Sequence, residues 1–313
     1  MIETMRKSLL ATIASASLLA GIPALLTADS FKLPANCTLP FDKIATKPDP
    51  VQECGIDGSS TKNAQVDAAK ALQDAAKNNF CADASSPVTV NFANLIAMQQ
   101  QAPPKSALAG GRDALHDFFT LDGSQIGEGT VVRLLAFVKE AHISDCQGGE
   151  YVNCKLNGLA NNDFHIVVMD PAQKNPRNLP ECDGVIMEMS PHYRPAAWSQ
   201  IDLRTPSQNP VRVTGSLFYD DEHEPCSMVS GKLTGHSGDP DRISLWEIHP
   251  VYALDVCMNT DPSKCDLTSN STSVWMPYDQ WVTKPWGPFQ ATGQSERTTC
   301  TGRNDVRPVP ARR

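Results

Sequence analysis

Positive charge is in short supply: 27 Lys and Arg face 35 Asp and Glu, for a formal net charge of −8. A chain so balanced lacks the electrostatic footprint that drives binding to a phosphate backbone, so nucleic acid is a poor partner. There are ten cysteines but no Cys-x-x-Cys pair, which argues against a zinc ribbon and a thioredoxin-type redox centre. No Gly-x-Ser-x-Gly elbow, Gly-x-x-x-x-Gly-Lys-Ser/Thr loop or His-Glu-x-x-His helix occurs. The usual marks of a serine hydrolase, a nucleotide-phosphate loop and a helical zinc site are therefore missing. Beyond residue 26 no stretch is apolar enough to span a bilayer.

What is present first is an export pattern. Arg6 and Lys7 precede an apolar run over residues 8–26, and Gly21-Ile22-Pro23 breaks that run before small residues near Ala28. The expectation is a removed signal peptide over 1–28, with a membrane anchor as the rival reading. All ten cysteines lie beyond this segment. An even count in an exported chain favours disulfides, periplasmic or extracellular. Cys146 with Cys154 and Cys257 with Cys265 are the two local pairings; the alternative is that each finds a partner elsewhere.

Periodicity then divides the chain. Residues 29–126 read as an N-terminal extension with two helices. One runs over 63–77, where Val66, Ala69, Leu72, Ala76 and Phe80 recur at helical spacing; the other runs over 91–101 and carries Phe92, Leu95 and Ile96 on one face. Pro103-Pro104 follows the second and ends it. From residue 127 the period becomes that of strands, expected over 130–143, 164–169, 185–189, 211–219 and 243–257, with a short helix over 195–203. These strands mark out a β domain expected over 127–258. Residues 259–313 form a C-terminal extension with Trp275, Tyr278, Trp281, Trp286 and Phe289, then a disordered tail over 303–313. The aromatic cluster either packs over the barrel or stacks on sugar rings.

Three strands, a helix and two strands resemble the five-stranded OB-fold superfamily. The words Asp163-Phe164-His165, Pro191-His192-Tyr193-Arg194-Pro195, Val211-Arg212-Val213-Thr214-Gly215 and Trp246-Glu247-Ile248-His249-Pro250 also resemble a series found in exported bacterial proteins of unknown function. The match covers roughly 127–257, and no activity follows from it. The resemblance implies a mainly β fold: a closed, disulfide-bonded OB-like barrel with strand order first-second-third-fifth-fourth. In that order the polar faces of the second, third and fifth strands are neighbours, because side chains alternate along a strand. Asp163, His165, Glu188, Glu247 and His249 then share one continuous outer surface, with His192 at its edge. His223 falls toward the opposite end. The same topology brings Cys182 and Cys226 together as a bridge.

Imidazole and carboxylate bind metals and move protons near neutral pH. Three readings compete for this wall. It is a metal site, with His165, His192 and His249 binding zinc or another divalent metal and Glu188 or Glu247 as catalytic base. It is a metal-free acid–base or binding surface. Or it is structural, the pairs satisfying each other across strands. Asp163 and Arg212 are the candidate ligand-binding residues, Arg212 as a clamp for a carboxylate or phosphate or else as an ordinary ion pair. The leading expectation is a binding or interaction module for a small molecule, glycan or protein on the barrel's outer face. The alternative is a metal-assisted hydrolase.

Overall fold

The computed structural model describes Gly58 and residues 68–283 apart from 81, 83, 109–110, 144–148, 156–160, 192–193, 195–207 and 236–239. The signal segment 1–28, the helix expected over 195–203, His192, Cys146, Trp286, Phe289 and the tail over 303–313 lie outside the described residues.

In chain order the elements are α1 (Ala68–Lys77), β1 (Val88–Val90), α2 (Phe92–Gln101), β2 (Phe119–Leu121), β3 (Ser124–Ile126), β4 (Val131–Ile143), β5 (Phe164–Met169), β6 (Val185–Met189), β7 (Val211–Tyr219), β8 (Ser227–Val229), β9 (Lys232–Thr234), β10 (Trp246–Cys257), β11 (Trp275–Pro277) and α3 (Tyr278–Trp281). The fold is mainly β. Strands β4, β5, β6, β10 and β7 pair in that order, and β7 returns to β4, which closes a five-stranded barrel. The expected order is the one found. Three of the five strands have the expected bounds; the first begins at Val131 and the last at Trp246.

Closure depends on the long strand β4, which pairs with β7 along 131–136 and with β5 along 137–143. It also depends on one glycine. A Cβ on Gly215 would lie 2.4 Å from the Pro250 carbonyl oxygen and 2.5 Å from Ile248 Cγ2. Glycine alone lets β7 cross β10 where the register shifts between Ile248 and Val251. Alternation does the rest. Val132, Leu134 and Ala136 of β4, Ile166 and Val168 of β5, Val185, Met187 and Met189 of β6, and Trp246 and Ile248 of β10 fill the interior. Helix α2, capped by the reciprocal Asn91–Asn94 hydrogen bonds, inserts Phe92, Leu95 and Met98 into the same core.

Cys182–Cys226 and Cys257–Cys265 are disulfides. Cys154 is also bonded, but its expected partner Cys146 is outside the described residues. Trp275, Tyr278 and Trp281 are buried, Tyr278 and Trp281 within the barrel's main core, so this part of the aromatic cluster packs on the barrel. Among the described residues no helix is long and apolar enough to cross a membrane.

Helix α1 departs from its expected orientation. Its apolar residue Leu72 is 42% exposed, whereas Gln73, Asp74 and Lys77 are buried. The helix therefore lies polar side down. The reason is what it lies on.

Candidate metal centre

His165 and Glu188 stand directly opposite each other on β5 and β6. Their neighbours Ile166 and Met187 point into the core, so this pair points out. On β10, Ile248 pairs with Met187 and faces inward, which sends Glu247 and His249 outward beside Glu188. Asp163 directly precedes β5. Alternation along strands in the order the OB-fold resemblance implies had grouped these five side chains, and the structure brings them together. It corrects their setting: all five are buried, so they form no solvent-exposed docking surface. Gln73 and Lys77 of α1 reach the wall, Glu150 approaches its edge at His165, and the Phe218 ring packs against His249.

Glu188 is the hub. Its Oε2 lies 2.6 Å from His249 Nδ1 and 3.4 Å from Lys77 Nζ. Its Oε1 lies 3.0 Å from His165 Nε2, but out of line, so both of these atoms lack a hydrogen bond. Neither oxygen of Asp163 accepts a well-aligned hydrogen bond, although the residue is only 1% exposed; the Asn153 amide and the Arg194 guanidinium are its nearest polar company. Asp163, Glu188 and His249 each offer a ligand atom within 4.8 Å of the others.

Glu188 also belongs to a second triad. Atoms of Glu188, Asp220 and Glu247 lie within the same 4.8 Å. Asp220 gets there because its N–H donates to Leu245 O, which extends the β7–β10 ladder by one residue and turns the side chain outward. Its Oδ1 accepts from Gln73 Nε2 at 2.9 Å and its Oδ2 from Arg242 Nη1 at 3.3 Å. Arg242 Nη1 also donates to Glu247 Oε2 at 2.9 Å, while Glu247 Oε1 has no partner. His223 bonds to Asp220 through Nδ1, so the histidine expected at the far end is linked through Asp220 to the same network.

Electrostatics follow from this crowding. Burial, with Glu150 and Glu188 nearby, pushes Asp163 well above the usual carboxylate range. Burial, with Glu188 and Asp220, does the same to Glu247. Burial would raise Glu188 too, but His165, Lys77 and His249 outweigh it and hold it well below that range. Burial lowers His165 against the pull of Glu188. Four buried carboxyl groups (Asp163, Glu188, Asp220, Glu247) thus share three fixed cations, Lys77, Arg242 and, beside Asp163, Arg194. Imidazole nitrogen with carboxylate oxygen is a donor set suited to zinc and other divalent transition metals.

The remaining candidates fall elsewhere. His192 lies outside the described residues. Arg212 is no open clamp: it is fully buried, and its Nε and Nη2 donate to Asp255 Oδ2 at 3.0 and 2.7 Å. Glu188 and Glu247, the expected bases, are both engaged, one by imidazoles and Lys77, the other by Arg242. Sequence reasoning missed Gln73, Lys77 and Arg242. For α1 the signal was the spacing Lys70, Gln73, Asp74, Lys77, a polar stripe of helical period. Comparison of the chain with protein-family models, with curated proteins and with solved structures gave no match.

Proposed function

We propose that this is an exported, disulfide-bonded barrel protein that holds a divalent transition-metal ion between its outer wall and helix α1. Asp163, Glu188 and His249 are the ligands, and His165 stands beside them as a fourth donor. The observation that carries this reading is Asp163. A buried carboxylate with no well-made hydrogen bond, and only the Asn153 amide and the Arg194 guanidinium near it, costs several kcal/mol unless a cation or a proton compensates it. The ligand atoms, within 4.8 Å of each other, need to close by only about 1 Å to reach the ~3–4 Å spacing that metal–ligand bonds of ~2.0–2.2 Å impose.

The depth of the site favours a resident, structural ion over metal-assisted hydrolysis, because a catalytic metal keeps an open position for water and substrate. Export rests on the leader pattern, the disulfides and the lack of a membrane-spanning helix among the described residues. A small molecule, glycan or protein partner would have to engage a surface other than this wall.

The test is metal analysis of the purified mature protein after dialysis against zinc, with unfolding followed before and after chelation. About one equivalent of zinc is expected. Chelation should remove the stabilisation that binding confers, about 2.7 kcal/mol when free ion stands at 100 times its dissociation constant. Asp163→Asn and His249→Ala should each weaken binding by ~10–100-fold or more, since even groups behind the ligands cost that much. A protein that takes up no zinc and whose melting ignores chelator would overturn the assignment.

A further inference from the structure

An ion held by buried ligands needs a way in. At the β7 side of the wall the His223 side chain, 22% accessible, stands on Asp220. That side is closed by its own bonds, since both Asp220 oxygens are taken, by Gln73, His223 and Arg242. At the β5 side the Glu150 side chain, 18% accessible, stands beside His165. Here the ligand-type atoms are not engaged: both Asp163 oxygens, His165 Nε2 and Glu188 Oε1 lack a well-made hydrogen bond. Glu150 is held in place. Its carbonyl accepts from the N–H groups of Asn153 and Lys155, and Cys154 of the same turn is disulfide-bonded. Its Oε2 accepts from Asn153 Nδ2 at 2.7 Å and from the Asp163 N–H at 3.4 Å. Its Oε1 faces His165 Nε2 at 4.0 Å. No hydrogen bond spans that distance, but two ligands of one ion lie ~3–4 Å apart.

We infer that Glu150 and His165 form an entry site, where an incoming divalent transition-metal ion is caught before it passes to Asp163, Glu188 and His249. The inference rests on the metal reading above. A hydrated ion sheds water as ligands replace it, and Glu150 is a donor that solvent and the interior both reach. Carboxylate oxygen with imidazole nitrogen again suits zinc. His165 serves both positions, because its Nε2 also lies 3.0 Å from Glu188 Oε1. The negative charge of Glu150 draws a cation to the one side of the wall whose ligand atoms are open to it. A group that holds the ion only in transit lowers the barrier in both directions. It sets the rates of uptake and release and leaves the final affinity alone.

The experiment follows zinc into and out of the full-length mature protein by stopped flow, with a chromogenic chelator as reporter. Equilibrium competition with the same chelator gives the affinity. Glu150→Gln keeps an acceptor for Asn153 and removes the charge. It should slow uptake and release alike by ~10-fold or more, the scale on which a charged cleft changes on-rates. Its dissociation constant should stay within about threefold of wild type, as expected of a group that acts only in transit. Glu222→Gln removes a partly exposed acid that pairs with Lys70, and it should leave both rates within about twofold of wild type, because an exposed charge is screened. Wild-type rates in Glu150→Gln overturn the inference. So does a loss of affinity with uptake unchanged, which would make Glu150 an ordinary ligand. If Glu150→Gln fails to fold, Glu150→Asp, shorter by one methylene, takes its place with the same slowing expected; wild-type rates in that variant, or its failure to fold, overturn the inference. Failure of the zinc site shows separately, as absence of zinc from wild type.

Discussion

Arg212–Asp255 and the Glu188 cluster are both buried ionic groups on the barrel, yet they are built differently. Arg212 and Asp255 face each other in register on β7 and β10. Two guanidinium nitrogens take one carboxylate oxygen, and Nη1 donates to Ser269 O at 2.7 Å. The Trp275 ring packs under the guanidinium at 4.9 Å. One base meets one acid, and backbone accepts another donor. Arg112 follows the same plan with Glu128 and the Tyr219 carbonyl. Around Glu188, four carboxyl groups crowd three fixed cations, Lys77, Arg194 and Arg242, and Asp163, Glu188, Glu247 and His165 all keep buried atoms with no hydrogen bond, against one such atom, Asp255 Oδ1, in the pair. Both places are buried, but only the cluster holds imidazoles and more acids than fixed bases. The match between donors and acceptors separates a fastening from a site.

The largest effect should come from the matched pair. Arg212→Met leaves Asp255 charged and buried without its base, and about 3–5 kcal/mol of stability should be lost in urea unfolding. Arg212→Met combined with Asp255→Leu should recover most of that, because a buried pair replaced whole by apolar groups is often neutral. Zinc uptake by the double variant should match wild type. A single-variant loss below about 1 kcal/mol would break the contrast, since the pair would then be no fastening.

Asp163→Asn should behave in the opposite way. The substitution keeps shape and removes a buried acid with no well-made hydrogen bond. Without metal, the variant should unfold within about 1 kcal/mol of wild type or above it, since an unmade bond cannot be lost. With zinc present, wild type should gain stability and the variant should not. A metal-free loss of 3 kcal/mol or more would place Asp163 among the fastenings.

Alternation marked the strands and which residues share a face; the closed barrel, the grouping of His165, Glu188, Glu247 and His249 and the Cys182–Cys226 bridge came from the strand order that the OB-fold resemblance implies. Period is local and legible in the sequence; strand order is not. Burial of the wall did not follow, because it depends on which side of α1 turns inward. Leu72 and Ala76 suggested an apolar contact, but the surface awaiting the helix is acidic. Gln73 and Lys77 gain more there than Leu72 would. For Arg212 the ion-pair reading matches Asp255, but its burial and partner follow from the register of β7 with β10, which shifts between Ile248 and Ala253. Asp220 was visible beside His223 in the sequence. Its reach to Glu247 depends on one ladder hydrogen bond beyond the end of β7.

The smallest effect sharpens the comparison within α1 itself. Lys70 and Lys77 lie on the same face of the helix, two turns apart. Lys70 Nζ reaches Glu222 at 2.6 Å, closer than Lys77 Nζ comes to Glu188 at 3.4 Å. Distance alone would rank Lys70 as the stronger contact. Exposure reverses the order: its side chain is 23% accessible and that of Glu222 34%, against 6% and 0% for the inner pair. Water and salt screen the outer pair and leave the inner one unscreened. Lys70→Ala should therefore cost less than about 1 kcal/mol at low ionic strength and close to nothing in 1 M sodium chloride. It should leave metal content unchanged. A loss of 2 kcal/mol that persists in high salt would mean that α1 is seated by its exposed end, and the burial of Lys77 would no longer explain why the helix lies polar side down.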